Sequence, residues 1–138
     1  MNYWLLKSEP KVYSLEDLLK DGKTCWDRVT NNTALKNIRS IHKGDLAFIY
    51  HTGDEKQIIG IAEVDSDPYP DPKELNIKLV VFDIKPVRKL TRIITLAQIK
   101  SDKFFKDFAL VKQGRLSVVP VAKEIWEYIL DISETKHI

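Results

Sequence analysis

Leu46-Ala47-Phe48-Ile49-Tyr50, then His51-Thr52-Gly53-Asp54, then Ile58-Ile59-Gly60-Ile61-Ala62-Glu63-Val64 is the stretch that decides the fold. Two runs of strand formers flank a turn centred on Thr52-Gly53-Asp54, which reads as a β-hairpin. Upstream, Lys43-Gly44-Asp45 is a turn into the hairpin. Before it, Asn31, Asn32 or Thr33 caps a helix whose Ala34, Leu35, Ile38 and Ile41 recur at helical spacing. Ser14-Leu15-Glu16-Asp17 is a capping box for a shorter helix, with Leu15, Leu18 and Leu19 on one face and Asp21-Gly22 as its stop. Tyr3-Trp4-Leu5-Leu6 is a first strand, ended by Pro10.

Downstream, Ser66 to Lys73 holds three prolines and is a loop. Ile77 to Ile84 alternates as a strand, and Pro86 is expected to break it. Thr95 caps a short helix reaching Lys100, Leu116 to Val119 is a strand closed by Pro120, and Ala122 to Leu130 is a helix with Ile125, Trp126, Ile129 and Leu130 inward. The tail from Ser133 to Ile138 is expected to be loose. Three consecutive strands with tight links are antiparallel. The expectation is an α+β domain, residues 1–138, whose sheet curls into a partly closed barrel with short helices over its ends.

Composition excludes several classes. The 138 residues are 43% hydrophobic and 30% charged, which suits a folded domain rather than a disordered chain. Apolar runs such as Leu79 to Phe82 are far below the roughly 20 residues a membrane span needs, and the N-terminal run is too short for a signal peptide. A cytoplasmic location is expected, or a nuclear one in a eukaryote. One cysteine, Cys25, excludes an internal disulfide and a cysteine-cluster metal site. His42, His51 and His137 lack ligand spacing, and five scattered glycines form no phosphate cradle. No metal, no cofactor and a monomer are expected. Net charge is only +2, yet Lys85 to Arg92 carries four cations and no acid, and Lys20 to Lys43 carries six cations against two acids. Such runs suit solvated faces, and two in one small domain also suit a nucleic-acid partner.

One catalytic pattern is present. Pro70-Asp71 followed by Asp83-Ile84-Lys85 matches the loose PD-(D/E)xK nuclease signature, and a metal-dependent nuclease or a nucleotide hydrolase using Asp71, Asp83 and Lys85 is the alternative function. That chemistry needs both carboxylates on one divalent ion. Asp71 lies in the loop before the strand and Asp83 at its far end, and seven strand residues at about 3.3 Å each set positions 76 and 83 roughly 23 Å apart, so a chance match is the expectation. The aromatics say more. Trp4 and Trp126 read as core, whereas Trp26 lies in an irregular segment between two helices, with Thr24, Asp27 and the Asn31-Asn32 pair nearby, and Tyr69 lies in the proline-rich loop. An aromatic face on a loop can stack a flipped or single-stranded base, with amides and hydroxyls reading its edge. Trp26 as a plug in the open barrel end is the competing reading.

Tyr3-Trp4-Leu5-Leu6-Lys7-Ser8-Glu9-Pro10 resembles the opening of the EVE domain family. Tyr13-Ser14 with Asp17-Leu18, Trp26-Asp27-Arg28-Val29-Thr30-Asn31, Lys43-Gly44-Asp45, Tyr50-His51, Gly60 to Val64, Tyr69-Pro70-Asp71-Pro72 and Arg115 to Val121 recur in order, so the resemblance covers essentially the whole chain. It implies a PUA-like pseudobarrel of mostly antiparallel strands. It also implies kinship with the YTH domain and a non-catalytic reader of a modified nucleobase, cytosine or adenine, in DNA or RNA. By motif, the base pocket would hold Lys7, Ser8, Trp26, Asn31, Tyr50, His51, Thr52, Tyr69, Leu116 and Ser117, with Trp26 stacking and Ser8, Asn31 and Ser117 on the base edge. Phosphate contact would fall to Arg28, Lys36, Arg39, Arg88 and Lys89. The chain departs from the family segment at Arg28, where glycine is usual, at Thr30, where arginine is usual, at Leu35-Lys36, where an arginine-asparagine pair is usual, and at Thr52, where serine is common.

Overall fold

The hairpin forms as its sequence predicts. In the computed structural model, which describes residues 1–137, β3 (Leu46–His51) and β4 (Gln57–Val64) pair antiparallel around a turn in which Gly53 has φ +72. Every residue of β3 is buried, so this strand runs through the core instead of presenting one wet face. β1 (Tyr3–Ser8) lies parallel to β3 and antiparallel to β7 (Val118–Val121). On the other side β4 pairs with β6 (Val80–Thr95), which carries β2 (Thr24–Trp26) at its far edge. The sheet order is β2-β6-β4-β3-β1-β7, and the two-residue β5 (Tyr69–Pro70) pairs with β6.

The caps are those read from sequence. Ser14 caps α1 (Leu15–Asp21) through a reciprocal capping box with Asp17, Asn31 caps α2 (Asn32–Arg39), and Thr95 caps α3 (Leu96–Ser101) with Gln98. Gly22 closes α1 with φ +77. A 3₁₀ turn (Lys103–Phe105) and α4 (Ala109–Lys112) occupy a stretch for which the sequence offers no periodicity. An aromatic cluster holds them. Phe104 stacks on Tyr128 at 4.1 Å, and Phe105 meets Tyr128 edge-on at 5.3 Å. α5 (Lys123–Ile132) sets Trp126 on Phe48 at 3.9 Å and on Tyr3 at 4.7 Å, in offset stacks that join the helix to the sheet.

Four expectations are corrected. Pro86 does not break its strand: β6 runs 16 residues straight through it. Pro86 pairs with Ala62 where the register slips, the neighbouring pair being Ile61 with Arg88, so the missing N–H falls at a bulge. Ile77 is exposed and precedes the strand, which starts at Val80. Trp26 is not in an irregular segment but ends β2, opposite Phe82. The tail is also held as far as Thr135. Ser133 and Thr135 are buried, the Thr91 N–H donates to Thr135 Oγ1 at 3.0 Å, and the Arg92 N–H donates to the Ser133 carbonyl at 2.9 Å. Ile138, the last position of that expectation, lies outside the described residues.

Candidate functional site

The C-terminal end of β1, the start of β7 and the β2 edge strand enclose a cavity of about 460 Å³. That volume lies within the range of small-molecule pockets. Its walls include Lys7, Ser8, Tyr13, Cys25, Trp26 and Ser117, with Arg28 and Lys73 at the rim beside Glu9 and Asp27. The parallel β1–β3 register and the bond from the Lys7 N–H to the Ser117 carbonyl at 3.0 Å bring the first and last strands together here. Residues 7, 26 and 117 therefore meet although they lie far apart in sequence.

The three tryptophans are used differently. Trp4 Nε1 donates to buried Asp45 at 3.0 Å, Trp126 is stacked in the core, and Trp26 lines this cavity. Trp26 is also packed against the core and is only 9% exposed. It is therefore both barrel plug and cavity wall, and the two readings of this residue are compatible. Ser8 Oγ donates to the Tyr13 carbonyl. That bond consumes its only donor, so toward the cavity Ser8 offers lone pairs. Cys25 sits at the wall with its sulfur 3.5 Å from the Tyr69 hydroxyl, and that hydroxyl donates to Asp83 Oδ1 at 2.7 Å. The partly covered Cys25 thiol is pushed up by burial, and the Cys25 and Asp83 side chains push the Tyr69 hydroxyl well above its ordinary range. Both groups therefore stay protonated and neutral at neutral pH.

Several residues expected at the pocket lie elsewhere. His51 is buried within the fold: its Nε2 accepts from the Leu15 N–H at 3.1 Å and its Nδ1 lies 3.0 Å from Glu55 Oε1. It satisfies a helix-start amide that α1 leaves unpaired. Asn31 Oδ1 accepts from the Ala34 N–H at 3.0 Å as the cap of α2. Leu116 is buried, and Tyr69 stands behind Cys25. Tyr50 and Thr52 face a second groove of about 220 Å³, of which Lys7 is also a wall. Of the expected phosphate contacts, only Arg28 reaches the main cavity. Arg39 donates to the Lys78 carbonyl at 2.9 Å, Lys89 pairs with Glu16, and Lys36 and Arg88 line neither space.

The nuclease members do not converge. The Asp71 N–H donates to the Leu79 carbonyl at 2.9 Å, which folds the loop back along the strand, so four strand residues, about 13 Å, separate it from Asp83. Asp83 is bound by Tyr69 and lies 3.7 Å from Lys23, while Lys85 is paired with Glu63 and Asp65 at 3.6 Å each. No group of three or more His, Cys, Asp or Glu among the described residues could hold a metal ion.

Sequence reasoning missed Tyr13, Cys25 and Lys73 as cavity walls and Asp45 as an anchor. Asp45 is 3% exposed and accepts from the Asn2 N–H, Trp4 Nε1 and the His42 N–H at 2.9–3.0 Å. Its place in the Lys43-Gly44-Asp45 turn was the available signal, and Gly44 there takes φ +96. Arg28 has φ +67, the left-handed backbone that favours glycine, at the position where the family segment carries glycine.

The EVE domain model matches residues 2–132. The rat and human proteins named thymocyte nuclear protein 1 are each 31% identical to the chain, over 98% and 96% of it and 75% and 74% of their own lengths. Among solved structures, Rpa0253 from Rhodopseudomonas palustris superposes with a TM-score of 0.94 at 38% identity, covering 99% of this chain and 97% of that one. Human THYN1 in complex with 5-methylcytosine-containing DNA superposes with a TM-score of 0.89 at 31% identity, covering 99% and 100%. A family match over nearly the whole length and backbones this similar agree with the motifs and the strand order: the chain belongs to the EVE domain family and has its PUA-like fold.

Proposed function

We propose that this chain is a non-catalytic reader module that takes a modified nucleobase, flipped out of DNA or present in RNA, into the cavity beside Trp26. The observation that carries the reading is that cavity itself, whose lining joins the Trp26 indole to the Ser8, Tyr13 and Ser117 hydroxyls and the Lys7 amine, with Arg28 and Lys73 beside Glu9 and Asp27. An aromatic face supplies sequence-tolerant stacking. Ser8, its donor already used, can only accept, which suits the exocyclic amine that cytosine and adenine share. Support comes also from human THYN1, an EVE relative bound to DNA containing 5-methylcytosine. Cytosine is accordingly the base to test first, and adenine the second.

The test is fluorescence anisotropy with matched DNA and RNA oligonucleotides, plain or carrying modified cytosine or adenine, on wild type, Trp26→Phe and Trp26→Ala. Stacking is worth about 1–3 kcal/mol by alanine substitution, or roughly 5- to 150-fold in affinity. Trp26→Phe should hold most of the core packing and most of the affinity. Trp26→Ala should lose the preference for the modified base. A folded Trp26→Ala protein with undiminished preference would sink the proposal.

A further inference from the structure

The second groove shares one wall residue with the main cavity, Lys7, which lines both. Its walls carry Lys7, Lys56 and Lys100, its polar groups include Tyr50 and Thr52, and its apolar floor is Leu96, Leu110 and Val111. No carboxylate lines it. The ion pairs within 4.0 Å among the described residues take up Lys23, Lys73, Lys85, Lys89 and Lys112, and none of them involves Lys7, Lys56 or Lys100. Three lysines thus line one groove outside any ion pair, with the Glu9 carboxylate against the groove residue Gly53 as the nearby acid, an arrangement that favours an arriving anion.

The geometry holds the Lys7 ammonium in place. Lys7 Nζ donates to the Gly114 carbonyl at 2.7 Å and lies 5.9 Å from the centroid of the Tyr50 ring. An ammonium has three donors, so two remain for a ligand. Burial pushes the Lys7 ammonium down from its ordinary range, so an anion there would also relieve a desolvated charge. Lys56 sits at φ +47 in the β3–β4 turn, and its carbonyl accepts from the Leu96 N–H at 2.9 Å, which ties that turn to the start of α3. Leu96 and Lys100 are one helical turn apart and so share a face. The acidic residues of the same turn, Asp54 and Glu55, line a different groove with Glu9.

We infer that this groove holds the phosphodiester and sugar of a nucleotide flanking the base in the main cavity, with Lys56 and Lys100 on the phosphate and Lys7 as the pivot between the two spaces. The inference rests on the reader proposal for the neighbouring cavity. The strand would then leave the base pocket over Lys7 toward α3, away from β6, where Lys89 is occupied by Glu16.

The test compares wild type, Lys56→Gln/Lys100→Gln, and the control Lys106→Gln/Lys123→Gln, two exposed lysines that line neither cavity. Kd is measured for plain and modified oligonucleotides, as DNA and as RNA, between 50 and 200 mM salt, with circular dichroism to verify folding. Each lost contact should make the log–log salt slope shallower by about 0.9 on duplex DNA and about 0.7 on single strands. The groove variant should therefore lose roughly 1.8 or 1.4 of slope, with the ratio of modified to plain affinity unchanged and the control like wild type. A groove variant with the wild-type slope, or a control that loses as much, overturns the inference while leaving the base reading intact. A wild-type protein with no preference for any modified base, whose slope still falls in the groove variant, overturns the base reading and supports the groove. Absence of binding to every oligonucleotide overturns both.

Discussion

Arg28→Gly should make the protein more stable and bind nucleic acid less well, and the structure supplies both magnitudes. Arg28 stands at φ +67, where an L-residue costs roughly 1–2 kcal/mol. Glycine removes that cost but gives back about 0.4–1 kcal/mol through the extra freedom of the unfolded chain. The ion pair to Asp27 is long at 3.9 Å, and the Arg28 side chain is 78% exposed, so its loss matters little. The net gain is about 0–1.6 kcal/mol, centred on ~0.8, or a few °C in Tm for a domain of this size. Arg28→Ala separates the two effects, because a Cβ keeps the left-handed strain while the guanidinium is lost. Thermal melts should rank glycine above alanine, and anisotropy titrations across salt should give both variants the same slope, about 0.9 shallower than wild type on duplex DNA. A glycine variant no more stable than the alanine one would refute the strain argument. Wild-type slopes in both would remove Arg28 from the phosphate path.

His51→Ala should destabilise the fold by about 1–3 kcal/mol, the cost of leaving the buried Leu15 N–H without an acceptor. Urea denaturation checks this, and an unchanged midpoint would mean water replaces the imidazole. The Tyr128 hydroxyl at 2.6 Å, with help from the Phe104 N–H, holds the Asp102 carboxyl below the usual carboxylate range. A lowered folded pKa adds stability that is complete above the unfolded value of about 3.9 and is lost as pH falls through the folded one. Wild type should therefore exceed Asp102→Asn in urea midpoint at pH 7 and converge with it in strong acid, and a constant gap would contradict this. Magnesium or manganese should leave Tm and nucleic-acid integrity unchanged, because Asp83 is occupied by Tyr69 and Lys23. Metal-dependent cleavage abolished by Asp83→Ala would restore the nuclease reading.

Most of the secondary structure was legible because its determinants are local. Ser14 with Asp17, Asn31 with Ala34, and Thr95 with Gln98 each complete a cap within three residues, and the hairpin needs only a turn and two flanking runs. The order of these pieces already implied a curled, mostly antiparallel sheet, and the motifs implied the family. Pairing between distant segments decided the rest. Pro86 is tolerated because the β4–β6 register slips beside Ala62, which no window around residue 86 contains. Trp26 becomes a strand residue because Phe82, 56 positions on, offers it an edge. His51 and Asn31 looked like base readers by residue type, but the His51 ring is held between the Leu15 amide and Glu55, and the Asn31 side-chain oxygen caps α2 at the Ala34 amide. Lys56 and Lys100 lay in unremarked positions until the turn carbonyl of Lys56 met the amide of Leu96. A side chain's type states what it can bond. Whether that bond stays free for a ligand depends on which backbone group the fold brings to it first.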